Sequence, residues 1–131
     1  MLPVRKLILI FCFTAALVNL YSSGNWLNQQ SNVTSKLVKC YFADSLMGWV
    51  VGDSGTILHT SNGGINWIRQ NSGTGNYIFD LHFLNNSTGW CIASDIYAYP
   101  YPVLLKTTNS GTNWIKFYRP DTTYMMITVY F

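Results

Sequence analysis

The chain is predicted to be all-β, an incomplete array of four-stranded antiparallel blades, and three observations predict it. Its text repeats: Trp26-Leu27-Asn28-Gln29-Gln30-Ser31 returns 41 residues later as Trp67-Ile68-Arg69-Gln70-Asn71-Ser72. The offset persists through Leu37 and Ile78, Phe42 and Phe83, and the pairs Gly48-Trp49 and Gly89-Trp90. A turn pattern also occurs twice, as Thr60-x-Asn62-x-Gly64-x-x-Trp67 and Thr107-x-Asn109-x-Gly111-x-x-Trp114. Finally, beyond the first residues no stretch carries apolar residues at helical spacing for two turns, and prolines and glycines interrupt each run that would. A period near 40 residues built of strands marks blades or a solenoid.

The elements follow in order. Arg5 and Lys6 precede an apolar run from Leu7 to Val18, then polar residues up to Gly24, so residues 1–23 read as a secretory signal peptide. The run is well short of the roughly 20 residues that cross a bilayer as a helix, so no stable membrane span is expected after cleavage. In the repeat unit, Lys36 to Phe42 is a first strand and residues 43–47 a loop. Gly48 to Gly52 is a second strand, Asp53-Ser54-Gly55 a tight turn, and Thr56 to Thr60 a third strand. Ser61-Asn62-Gly63-Gly64 turns the chain into a fourth strand over Ile65 to Gln70. The array then contains a blade end at 24–36, one blade at 37–71, a second at 77–118 and the start of another at 125–131.

Each box has a physical rationale. An Asn side chain accepts backbone N–H bonds from two residues on, glycine supplies a positive φ without steric cost, and tryptophan covers the turn with a large apolar face. The pattern resembles the Asp-box, or bacterial neuraminidase repeat, Ser/Thr-x-Asp-x-Gly-x-x-Trp, with Asn62 and Asn109 standing where that repeat has Asp. The wider text, Phe42-x-Asp44, Gly48-Trp49-Val50-Val51-Gly52, Gly55-Thr56-Ile57-Leu58 and the box, resembles the repeats of the photosystem II assembly and stability factor family over residues 24–131. Those proteins are seven-bladed β-propellers. The resemblance implies a partial β-propeller whose boxes join third and fourth strands on the outer side of each blade, away from the channel. Thr60, Asn62, Gly64, Trp67, Thr107, Asn109, Gly111 and Trp114 are then structural residues, and the implied role is a protein-binding or assembly scaffold.

The second box follows the first by 47 residues, and the extra length lies in residues 94–102, where Tyr97, Tyr99 and Tyr101 alternate with Pro100 and Pro102. Broad amphipathic rings on a stiff loop suit protein or glycan contact. Propellers close with roughly four to eight blades, so the missing blades are expected from the rest of a longer chain or from self-assembly.

Composition excludes several classes. Without the signal peptide, the basic residues Lys36, Lys39, Arg69, Lys106, Lys116 and Arg119 face five aspartates and no glutamate, and they are scattered. No nucleic-acid partner is expected. No metal or cofactor is expected, because only His59 and His82 could join Cys40 and Cys91 and no ligand spacing exists. A bridge between Cys40 and Cys91 is permitted by an oxidising compartment but not implied. Glycoside hydrolysis needs a carboxylate pair, or a tyrosine activated by glutamate. With no glutamate and only Arg69 and Arg119 left as arginines, a non-enzymatic protein is expected, and the signal peptide predicts export to the periplasm, cell surface or exterior. The alternative is a carbohydrate-binding or sialidase-like propeller fragment, with the catalytic residues elsewhere.

Overall fold

A computed structural model describes residues 28–94 and 102–118. Strands β1 (Leu37–Phe42), β2 (Gly48–Gly52), β3 (Thr56–Thr60) and β4 (Ile68–Asn71) form one sheet in the order β1-β2-β3-β4. Strands β5 (Tyr77–Phe83), β6 (Gly89–Ser94), β7 (Val103–Thr107) and β8 (Ile115–Tyr118) form a second in the order β5-β6-β7-β8. Every pairing is antiparallel. Sequential strands pair as neighbours, so each blade is a simple meander. No helix occurs among the described residues. The signal peptide at 1–23, the tyrosines Tyr97, Tyr99 and Tyr101, and the blade start at 125–131 lie outside the described residues.

One sequence expectation needs correction. The fourth strand begins at Ile68 rather than Ile65, because Ile65 is still in the turn, its N–H donating to the Asn62 carbonyl at 3.4 Å. Residues 28–36 form no strand, and the blade end expected at 24–36 begins outside the described residues. Register, by contrast, repeats in detail. A bulge between Leu37 and Lys39 in the first blade recurs between Ile78 and Asp80 in the second, at equivalent repeat positions.

The blades stack face to face. Trp49, Val51 and Ile57 of the first sheet bury against Leu81, Phe83, Cys91 and Leu105 of the second. At the centre, the Trp49 and Phe83 rings lie parallel with centroids 3.6 Å apart, and Trp114 meets Phe83 edge-on at 6.0 Å. The opposite face of the first sheet buries Val50, Leu58 and Trp67 with Val33, Leu37, Cys40 and Phe42. There, Trp67 meets Phe42 edge-on at 6.0 Å, the same contact one blade earlier.

That geometry explains the repeated Gly-Trp pairs. A Cβ on Gly48 would stand 2.6 Å from the Phe42 ring, and one on Gly89 would stand 2.5 Å from Phe83. The glycine makes room for the phenylalanine of its own blade, and in the first blade the adjoining Trp49 reaches outward to Phe83 of the next.

Candidate functional site

The two boxes are the most regular side-chain constellation in the described residues. In the first, the Thr60 hydroxyl accepts the Gly64 N–H at 2.9 Å and the Asn62 N–H at 3.3 Å, and donates to Asn62 Oδ1 at 2.9 Å. Asn62 Oδ1 also accepts the Asn66 N–H at 2.9 Å. In the second, Thr107 accepts from Gly111 at 2.8 Å and from Asn109 at 3.2 Å, and donates to Asn109 Oδ1, which accepts the Asn113 N–H at 3.0 Å. The threonine therefore serves the N–H two residues on, and the asparagine serves the one four residues on, opposite to the simple expectation for the asparagine. An amide oxygen does this as well as a carboxylate oxygen, because each needs only one acceptor atom there.

The boxes also fasten one blade to the next. Trp114 Nε1 donates to Gln70 Oε1 at 3.3 Å, while Gln70 Nε2 donates to the Ser110 carbonyl at 2.7 Å. Trp49 Nε1 donates to the same carbonyl at 3.2 Å. One blade earlier, Trp67 Nε1 donates to Gln29 Oε1 at 3.2 Å. The box glycines sit directly beneath these glutamines. They hold φ of 90° at Gly64 and 83° at Gly111, and a Cβ there would come within 2.5 Å of Gln29 or 1.9 Å of Gln70. Sequence reasoning missed this clip, although Gln29 and Gln70 occupy the same place in the repeated hexads.

Charges are few, and several are used between blades. Lys39 Nζ lies 3.3 Å from Asp80 Oδ1, with Asp80 nearly buried. Asp44 accepts the Met47 and Leu46 N–H groups at 2.7 Å and Asn86 Nδ2 from the second blade at 2.7 Å. These donors, the Met47 N–H first, lower its pKa below the ordinary carboxylate value. Tyr41 donates across the interface to the Phe83 carbonyl at 2.6 Å.

Cys40 and Cys91 are not joined in a disulfide, and Cys91 is fully buried; burial first, and the Asp80 charge second, push its thiol well above the usual value. His59 stacks on Trp49 with centroids 4.9 Å apart, and burial lowers its pKa. Among the described residues no three His, Cys, Asp or Glu side chains come together as metal ligands. No helix of the described residues is long and apolar enough to cross a membrane.

The family model described as photosynthesis system II assembly factor YCF48 matches residues 18–120. The chain belongs to the YCF48 family. Two solved YCF48 structures have a similar fold. One, described as YCF48 bound to D1 peptide, is 24% identical with a TM-score of 0.57 over 70% of this chain and 28% of its own. The other, YCF48 from Cyanidioschyzon merolae, is 23% identical with a TM-score of 0.58 over 73% of this chain and 31% of its own. The chain therefore spans about a third of the length of these YCF48 propellers. The two four-stranded sheets are neighbouring blades of a β-propeller. No curated protein matches the chain at comparable stringency.

Proposed function

We propose that this chain is part of an exported, non-enzymatic YCF48-type propeller that binds a protein partner as an assembly scaffold at the cell surface, in the periplasm or outside the cell. The observation that carries the reading is the family match over residues 18–120. One solved relative is described as bound to a D1 peptide, which supports a peptide ligand for this propeller too. The box side chains contribute rigidity: their polar atoms are consumed in turns and blade clips. They serve the ring, and recognition falls to other residues.

The test is binding of D1 peptide to the full-length native protein, measured by biolayer interferometry beside a glycan array. Saturable peptide binding without glycan binding is the expected result. A folded protein that ignores the peptide and captures glycans would overturn the scaffold reading in favour of carbohydrate recognition. Export is checked by mass spectrometry of the mature N-terminus, expected between Leu20 and Gly24.

A further inference from the structure

The first box contains the pair Asn62-Gly63, and its counterpart in the second blade is Asn109-Ser110. No other asparagine of the chain precedes a glycine. The backbone nitrogen that follows an asparagine can close a ring onto the side-chain amide carbon, Cγ. A glycine in that place leaves the approach unhindered, whereas a Cβ obstructs it. Asn62 also sits where a carboxylate fits. Its Oδ1 accepts from the Thr60 hydroxyl and from the Asn66 N–H, both at 2.9 Å, and a carboxylate oxygen accepts the same two donors.

The folded turn withholds both reacting groups. The Gly63 nitrogen donates its proton to the Leu46 carbonyl at 2.9 Å, and the Asn62 amide is held by Thr60 and Asn66. Ring closure requires the nitrogen to lose that proton and the side chain to leave both donors, so all three bonds must open first. The second box is closed in the same way. The Ser110 N–H donates to the Ser87 carbonyl at 2.9 Å, and Asn109 Oδ1 accepts from Thr107 and Asn113 at 3.0 Å each. The two boxes share the lock and differ in what it guards.

The first lock depends on structure outside its own turn. Leu46 belongs to the β1–β2 loop, which Asp44 braces by accepting the Leu46 and Met47 N–H groups at 2.7 Å. Asn86 of the second blade donates to the same carboxylate at 2.7 Å. Local opening of this loop therefore releases the Gly63 nitrogen.

We propose that Asn62 is a site of spontaneous deamidation, shut while the β3–β4 turn is bonded to the β1–β2 loop and open when the two separate. The Gly63 nitrogen gives its proton to a base and bonds to Asn62 Cγ; the Cγ–Nδ2 bond breaks, and Nδ2 leaves as ammonia after taking a proton from water. A second water then opens the cyclic imide at either carbonyl. One opening gives aspartate on an ordinary backbone, the residue the Asp-box pattern has there, and the box closes again. The other gives isoaspartate, whose backbone is longer by a methylene and whose side chain is shorter, so Thr60 no longer meets the Gly64 N–H that it accepts at 2.9 Å. A chain held open is thus divided into molecules that can refold and molecules that cannot. This site is independent of the scaffold reading.

The test incubates the full-length protein in mildly alkaline buffer with and without urea. Peptide mass spectrometry follows loss of each amide, and isoaspartyl methyltransferase labelling detects the isomerised product. Conversion of Asn62 in urea is expected to exceed both that of Asn109 in urea and that of Asn62 in buffer by roughly tenfold or more. Gly63→Ser should bring Asn62 down to the Asn109 rate. Asp44→Ala, with its circular dichroism spectrum retained, should speed Asn62 in buffer by about fivefold and leave its rate in urea unchanged. Asn62→Asp should refold with the melting temperature of the wild type. Equal rates at Asn62 and Asn109 in urea overturn the site, and equal Asn62 rates in buffer and urea overturn the gate. An Asp44→Ala rate in buffer equal to that of the wild type overturns the part given to the β1–β2 loop, and failure of Asn62→Asp to refold overturns the reclosing of the box.

Discussion

The two blades are the same device built twice, and the positions where they differ are more informative than those where they agree. Box bonds match closely: glycine to threonine is 2.9 and 2.8 Å, and tryptophan to the preceding glutamine is 3.2 and 3.3 Å. Offsets of 41 residues through β2 and 47 from β3 onward put the remaining positions in register. His59 over Trp49 then corresponds to Lys106 over Trp90, Gln70 to Phe117, and Gly63 to Ser110. Agreement marks what any blade needs to fold. Difference marks what a blade's particular neighbour or partner demands.

Tryptophan removal breaks the comparison hardest. Trp49 is fully buried between the blades, stacked on Phe83 and bonded to the Ser110 carbonyl. Trp49→Ala is expected to cost about 3–5 kcal/mol. Urea titration checks this. A loss under about 1 kcal/mol would mean that the interface between the sheets is not the main source of stability.

The box glycines come next. Gly64→Ala and Gly111→Ala each force a side chain into a positive-φ conformation and into the neighbouring glutamine, at a cost of about 1–3 kcal/mol. Pairing Gly111→Ala with Gln70→Ala separates the two causes. The double variant recovers the steric part of the loss but not the backbone part, and full additivity would show that the clip contributes nothing to it.

Much of this architecture was legible because a repeat states each constraint twice. Phe42 with Phe83 and Gly48 with Gly89 stood out as matched pairs before their contact was known, and strands β2 and β3 run where alternation and turn residues place them. The clip was less legible. Gln29 and Gln70 were visible as a matched pair, yet one glutamine at equal spacing carries no hint that its two amide ends reach a tryptophan and a carbonyl 40 or more residues away. Those bonds depend on how blades stack, and local propensity says nothing about stacking. Ile65 misled for the opposite reason: it reads as the first residue of a strand by composition, while the asparagine four residues before Asn66 holds the turn closed through that point.

A smaller effect distinguishes His59 from Lys106. The Nε2 atom of His59 is buried without a hydrogen-bond partner, and burial holds its pKa below the ordinary value of 6.5. For a base whose folded pKa is depressed, the folded state favours the neutral ring. Stability is therefore complete above the unfolded pKa and declines as pH falls below about 6.5. Thermal melts from about pH 8 to about pH 5 should show a fall in melting temperature that His59→Gln flattens. In the second blade the equivalent position is Lys106, whose Nζ stands over the Trp90 ring at 5.4 Å. A wild-type acid limb unchanged in His59→Gln would place the titrating group elsewhere.

The smallest expected effect concerns one residue of the turn. Ser110 holds φ of 58° where the first blade has Gly63 at 68°. A left-handed conformation costs a non-glycine residue about 1–2 kcal/mol, and Ser110 offsets part of that by donating its hydroxyl to the Asn86 carbonyl at 2.6 Å. That bond is exposed, so its contribution is about 0.5–1 kcal/mol. Ser110→Gly should consequently leave stability unchanged or raise it by up to about 1 kcal/mol. The reverse exchange, Gly63→Ser, meets the equivalent acceptor, the Ser45 carbonyl 3.0 Å from the added Cβ, so its hydroxyl again offsets part of the left-handed cost and a loss of up to about 1 kcal/mol is expected. Opposite signs for the two swaps, read from urea midpoints, would show that the serine hydroxyl only partly repairs a turn designed around glycine. A destabilised Ser110→Gly would instead show that its bond to the β5–β6 loop, which the first blade makes only through the backbone of Gly63, has become part of how the second blade holds its rim.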